Sequence, residues 1–246
     1  MDTITGLVRH WAAQCPDRTW LRGLRGETSE DLSWAQAQGE IDAVAAWLER
    51  RFGRGERIGL LSANCPHWFL ADLAIIASGN VSVALFTTIP SGSVDYILGL
   101  TESRALILGE AANWERVQHV VPHDTVIITL PGIEIDRDHV RWETIVEAEA
   151  GARPGHEGPP DDTVALVFTS GTTGKPKGVV QTHESNLIPI QRFIDKVDIR
   201  ERPRYFSYLP LAHIAERQIV EYSSLVTCGE VFFNERMETL ARDLPR

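Results

Sequence analysis

Residues 168–178 read Phe-Thr-Ser-Gly-Thr-Thr-Gly-Lys-Pro-Lys-Gly, a run of hydroxyls, glycines and lysines entered directly from the apolar segment Thr163-Val-Ala-Leu-Val-Phe168. That apolar segment has the composition of a short buried strand. The loop after it can turn backbone N–H groups and Ser/Thr hydroxyls inward, because glycine alone adopts left-handed turns cheaply. A concavity of N–H dipoles beside ammonium groups is an anion site, and polyphosphate is its usual guest. The pattern differs from Gly-x4-Gly-Lys-Ser/Thr, since Lys175 is followed by Pro176. An ordinary Gly/Thr-rich turn between strands is the competing reading. The number of specified positions, in fixed order, favours a phosphate loop.

Other constellations are weaker. His119 and His123 are four residues apart, but Pro122 breaks the helix that would put them on one face, which argues against a metal pair. His183-Glu184 has Leu187 where a zinc-protease helix needs its second histidine. No Gly-x-Ser-x-Gly elbow occurs, which argues against a serine hydrolase. Glu216-Arg217 reads as an internal ion pair or a solvated pair without a catalytic role, and Trp68-Phe69 as core.

The 246 residues carry a formal charge of −10, with 43% apolar and 24% charged side chains. These proportions are ordinary for a globular chain. The acidic balance argues against nucleic acid, whose binding rests on Lys and Arg neutralising phosphates. Cys15, Cys65 and Cys228 are scattered and form no Cys-x-x-Cys, which argues against a disulfide framework or zinc knuckle. Two of them precede prolines or sit in apolar context and read as small buried hydrophobes, and a reducing cytoplasm is implied. The N-terminus lacks the basic and apolar regions of a signal peptide. The most apolar stretch, 68–86, is interrupted by Asp72, Ser78, Gly79 and Asn80 and is too broken to span a bilayer. Peripheral contact with a membrane stays open.

Strand and helix signals alternate along the chain. Ser33-Trp-Ala-Gln36 is a capping-box sequence, followed by Ile41, Val44 and Leu48 at helical spacing and a stop at Gly53. Strands are expected at 57–62, 81–86, 105–108, 125–130, 163–168, 179–182, 205–208 and 230–233. Helices are expected at 66–77, 94–101, 114–121, 184–196 and 214–227, with Gly229 as a cap. This order argues for an α/β fold of strand–helix units around parallel sheets. Residues 151–162 hold three Gly and three Pro and form the clearest connection, dividing a first α/β subdomain (1–150) from a second (163–246).

Residues 168–178 resemble the phosphate-binding signature of the adenylate-forming superfamily, which includes acyl-CoA synthetases, nonribosomal adenylation domains and luciferases. Arg57-Ile-Gly-Leu-Leu-Ser-Ala-Asn-Cys-Pro-His-Trp68, continuing to Gly79, resembles the family's first strand–helix unit. Tyr205-Phe-Ser-Tyr-Leu-Pro-Leu-Ala-His-Ile-Ala-Glu-Arg217 resembles its next motif, in the form of long-chain fatty acid–CoA ligases. The resemblance runs from about Trp34 to the end. It implies the large N-terminal AMP-binding domain of such an enzyme, with a carboxylate attacking the α-phosphorus of ATP and coenzyme A then displacing AMP.

By position in the motif, Thr169, Ser170, Gly171, Thr172, Thr173, Gly174 and Lys175 would wrap the phosphates, with Lys177 adding charge and Thr172 contacting Mg2+. His213 matches the position between α-phosphate and acyl pocket; a helix-start role is its alternative. The family's later motifs and its small C-terminal domain do not occur in the chain, so it is expected to be a truncated, inactive portion. Partners implied are a fatty acid, ATP and coenzyme A, with a homodimer as one assembly state. Two other functions stay open: an adenylating ligase for an aryl or amino acid, and a non-catalytic nucleotide-binding module.

Overall fold

The computed structural model describes residues 3–156, 158–169, 176–197, 199 and 202–244. In chain order the elements are α1 (Ile4–Gln14), β1 (Thr19–Arg25), β2 (Thr28–Ser33), α2 (Trp34–Phe52), β3 (Arg57–Leu61), α3 (Pro66–Ala77) and β4 (Val81–Leu85). Next come α4 (Ser91–Thr101), β5 (Ala105–Leu108), α5 (Ala111–Val117), β6 (Val126–Thr129), β7 (Val140–Arg141) and α6 (Trp142–Ala148). The rest comprises β8 (Thr163–Thr169), β9 (Lys177–Thr182), α7 (His183–Val197), β10 (Arg204–Ser207), α8 (Ile214–Glu216), a π-helical turn (Arg217–Tyr222), α9 (Ser223–Thr227), β11 (Glu230–Phe233) and α10 (Leu240–Asp243).

The alternating α/β architecture is as expected. One sheet of seven strands has the order β7-β6-β5-β3-β4-β8-β9, parallel from β7 through β8. β9 closes it antiparallel to β8. The second sheet has the order β10-β11-β1-β2, with β1 parallel to β11 and antiparallel to β2. Sheet membership therefore crosses position 150 in both directions. β8 joins the strands of the N-terminal half, and β1 and β2 join those at the C-terminal end.

Period-two alternation explains why the central strands are apolar throughout. Ile58, Leu60, Ala105 and Ile107 face one core, whereas Leu61, Leu106 and Leu108 face another under α4 and α5. α3 lies in the first core, and all 12 of its residues are buried. A helix apolar on every side belongs in such a place. Pro66 starts it where a missing N–H costs nothing, and Gly79 ends it at φ +74°.

The Ser33–Gln36 capping box forms as anticipated: Gln36 N–H donates to Ser33 Oγ at 3.3 Å and Ser33 N–H to Gln36 Oε1 at 2.8 Å. Three expectations are corrected. The helix expected at 114–121 instead spans Ala111–Val117, starting from an extended Glu110. The helix expected to run from 214 to 227 without a break contains the π-helical turn, where Ser223 N–H donates to Gln218 O. The cap expected at Gly229 falls on Cys228, in the left-handed conformation at φ 53°. Gly229 is needed for close approach, since a β-carbon there would sit 2.4 Å from the Tyr205 ring.

Candidate functional site

A cavity of about 510 Å³ opens where β4, β8 and the loop before α8 meet. Its apolar wall includes Leu85, Phe86, Ile89, Ile97, Val167 and Phe168. Thr169, Pro176 and His213 border the same cavity. The sequence had picked out Thr169 and His213 from motifs 44 positions apart, and the fold brings them to one opening.

Thr169 is the last residue of β8, and Lys177 is the first of β9, directly opposite it in the antiparallel pair. Both are exposed, and Lys177 does not border the cavity. Ser170, Gly171, Thr172, Thr173, Gly174 and Lys175 lie outside the described residues. Both flanks of that segment are thus held by strand pairing at the cavity rim.

His213 is exposed and is the N-cap of α8; its Nδ1 accepts the Ala215 N–H at 3.1 Å. The helix-start role is therefore real, and it is compatible with a second one. An Nδ1 that accepts has no proton, so the neutral ring carries its proton on Nε2 as a donor. Nε2 has no hydrogen-bond partner among the described residues.

The loop leading to His213 is held from two sides. Glu216 Oε1 accepts the Tyr208 and Leu209 N–H groups at 3.0 and 3.3 Å. Burial pushes the Glu216 carboxyl above its ordinary pKa, and those two N–H groups act in the opposite sense. Asn64, from the β3–α3 loop, donates from Nδ2 to Leu209 O at 2.6 Å and accepts the Leu211 N–H at 3.1 Å. Across the cavity, Arg116 of α5 donates to the carbonyls of Thr87 and Ile89, fixing the β4–α4 loop. Sequence reasoning missed Asn64, Glu216 and Arg116 as positioning groups. Asn64 and Glu216 stood inside the resembling stretches, which was their only signal; Arg116 had none.

Glu216 and Arg217 are not paired with each other. Arg217 is fully buried, and its Nη2 donates to both Asp72 carboxylate oxygens at 2.5 Å. Its guanidinium lies over Trp68, 5.4 Å from the ring centroid. The contact from Arg217 Nε to Glu221 Oε2 is longer, 3.8 Å, and burial followed by the Asp72 charge pushes the Glu221 carboxyl well above its ordinary pKa. The cluster is therefore the Arg217–Asp72 ion pair with the Glu221 carboxyl beside it, which burial biases towards its neutral form. Arg217 and Glu221 belong to the π-helical turn itself, and the cluster does not border the cavity.

Among the described residues no group of three or more His, Cys, Asp or Glu side chains could hold a metal ion. Thr172, the residue expected to contact magnesium, lies outside the described residues. No described helix is long and apolar enough to cross a membrane.

A profile of the AMP-binding enzyme family matches residues 8–245, and the chain belongs to that family. It is 29% identical over 214 residues to fatty acyl-CoA synthetase A of Dictyostelium discoideum, covering 81% of this chain and 32% of that protein. It is 30% identical over 216 residues to long-chain-fatty-acid–CoA ligase 6 of Rattus norvegicus, covering 79% of this chain and 31% of the relative. The chain thus spans about a third of the length of these curated relatives. A solved Mycobacterium tuberculosis fatty acyl CoA synthetase matches the fold with a TM-score of 0.81 at 23% identity, over 96% of this chain and 45% of that one.

Proposed function

We propose that this chain carries the nucleotide- and acyl-binding portion of a long-chain fatty acid–CoA ligase. The single observation that carries this reading is the shared cavity: Thr169 and Pro176, which flank the Gly/Thr/Lys segment, and His213 border one opening with an apolar wall. The relatives named above add that enzymes of this sequence type act on fatty acids.

In the proposed reaction, a fatty acid carboxylate attacks the α-phosphorus of ATP in line. Acyl-adenylate and pyrophosphate form, and the coenzyme A thiol then displaces AMP. Attack between two anions calls for positioning and charge neutralisation more than for covalent help. Backbone N–H groups, hydroxyls and Lys175 of the 169–175 segment would hold the β- and γ-phosphates, with Lys177 adding positive potential from the start of β9. The Nε2–H of His213 would donate to the carboxylate or to an α-phosphate oxygen. Leu85, Phe86, Ile89 and Ile97 would seat the first methylenes of the acid, each buried CH₂ contributing about 0.8 kcal/mol. Magnesium contact by Thr172 belongs to this proposal on the resemblance alone, and no step is drawn through it. The three free thiols fit a reducing cytoplasm.

The test is acid-dependent ATP–pyrophosphate exchange by the folded chain. Exchange rising with alkyl chain length supports the reading. Exchange with aryl or amino acids alone would replace the substrate class, and silence with every acid would contradict catalysis by this chain.

A further inference from the structure

Cys15 and Cys228 are separated by 213 positions, yet their sulfurs are 3.6 Å apart. Both stand as free thiols. The contact is made by two anchored backbone segments. Cys15 ends α1, its N–H donating to Trp11 O at 2.8 Å. Cys228 ends α9 in a left-handed cap. Trp11 Nε1 donates to Leu225 O at 2.6 Å, fastening the last turn of α1 to α9. The strands that follow, β1 and β11, lie side by side with Leu21 opposite Val231. A disulfide needs its sulfurs at about 2.05 Å. Closing 3.6 Å to that distance requires side-chain rotation between segments that are already in register.

We propose that Cys15 and Cys228 are a redox-active pair that forms a reversible intramolecular disulfide by exchange with a small-molecule disulfide such as glutathione disulfide. Cys15 is half-buried and reachable, whereas Cys228 is only 6% exposed, so Cys15 is the entry point. Its thiolate attacks one glutathione sulfur, the glutathione S–S bond breaks, and one glutathione thiolate leaves. The Cys228 thiolate then attacks Cys15 Sγ, the Cys15–glutathione bond breaks, and the second glutathione leaves. The two protons lost by the protein thiols pass to the two glutathione thiolates. Two protein thiols are oxidised and one glutathione disulfide is reduced.

Arg18 Nη1, 3.4 Å from Cys228 Sγ, offers positive charge to the attacking thiolate. Burial, followed by the neighbouring Cys15, pushes the Cys228 thiol up to about 11. The second step therefore quickens as pH rises, since the thiolate is the nucleophile. The Cys65 sulfur instead meets Ser62 Oγ, at 3.9 Å. Closure would tie the α1–β1 connection to the α9–β11 connection across a loop of most of the chain.

The experiment incubates the reduced 246-residue chain with glutathione disulfide at pH 7 and pH 8.5, then alkylates free thiols and maps tryptic peptides. The expected product is monomeric, lighter by two hydrogens, with the peptides 10–18 and 218–236 joined and Cys65 alkylated. It forms faster at pH 8.5, melts about 5–15 °C higher, and reverts with dithiothreitol. Cys65→Ser should cross-link as the parent does, and Cys15→Ser should not. These two variants suffice even if Cys228→Ser fails to fold. A glutathione adduct on Cys15 that never resolves, a link through Cys65, or a disulfide-linked dimer would each overturn the proposal.

Discussion

Asn64 Oδ1 accepts the Leu211 N–H at 3.1 Å, so one side chain of the β3–α3 loop reaches 147 positions along the chain to hold the segment that presents His213. The same side chain donates to Leu209 O and to Ser207 Oγ. Two of the three stretches that carried the family resemblance are therefore joined to each other by hydrogen bonds. Asn64→Ala orphans a donor and two acceptors and should cost about 1–3 kcal/mol in chemical denaturation. Asn64→Asp keeps the acceptor for Leu211 and should recover part of that loss. Equal stability of parent and Asn64→Ala would remove Asn64 from this role.

His213 has a structural and a chemical face that two substitutions separate. Asn is a good N-cap, so His213→Asn should stay within about 0.5 kcal/mol of the parent, whereas His213→Ala should lose about 1 kcal/mol. Both remove the Nε2–H donor and should weaken binding of a non-hydrolysable long-chain acyl-adenylate mimic by about 10–100-fold, the worth of one well-placed hydrogen bond to a charged group. Parental affinity in His213→Asn would leave only the capping role.

The buried Arg217–Asp72 pair should be costly to break and cheap to replace. Arg217→Met alone leaves an uncompensated carboxylate and should destabilise by about 3–5 kcal/mol, while the double variant Arg217→Met with Asp72→Leu should recover most of it. A double variant as unstable as the sum of the singles would contradict this account.

Burial raises the Glu221 carboxyl well above its ordinary pKa, so it favours the native state fully below the unfolded value near 4.5 and loses that contribution as pH rises towards the folded value. Glu221→Gln mimics the protonated acid at every pH. Its stability relative to the parent should therefore grow from pH 4.5 to pH 8. A parent that gains on the variant over that window would show Glu221 to be ionised.

His183 titrates in the opposite sense. It is buried, its Nδ1 accepts the Ile4 N–H at 3.1 Å, and burial lowers its pKa to about 4, partly offset by Asp162 and reinforced by His156. The unfolded state takes up the proton first, near pH 6.5, so stability is full above that value and falls progressively down to about pH 4. The loss should reach up to about 3 kcal/mol. His183→Asn supplies an acceptor that cannot titrate, and its denaturation midpoint should show a shallower slope between pH 6.5 and 4. An unchanged slope would contradict the assignment.

The central strand–helix units were legible because local rules agree there: apolar strands buried on both faces, Pro66 at a helix start, Gly53 and Gly79 at helix ends with positive φ. The first 33 residues were not. β1 buries its residues in pairs and not alternately, and it is held by β11, more than 200 positions away. A separation of 145 positions hid the meaning of Asp72. In the sequence it is a charge interrupting an apolar run; in the fold it is the partner of Arg217. Cys15 and Cys228 read as scattered cysteines because nothing local signals a contact across 213 positions. The candidate site was legible where motif residues carry it, at Thr169 and His213. It was illegible at Arg116 and Ile89, whose place depends on how α5 packs against the β4–α4 loop.

The most direct test of the central claim is a calorimetric titration of the folded chain with a non-hydrolysable long-chain acyl-adenylate mimic, alongside Ser93→Trp. Ser93 borders the cavity from α4 and is only partly buried, so an indole there should fill the space while leaving the fold intact. Binding to the parent with at least about tenfold weaker binding to Ser93→Trp, a loss of about 1.4 kcal/mol, is the expected result. Equal affinity for both proteins, or no binding to a folded parent, would contradict a shared nucleotide and acyl site at this cavity.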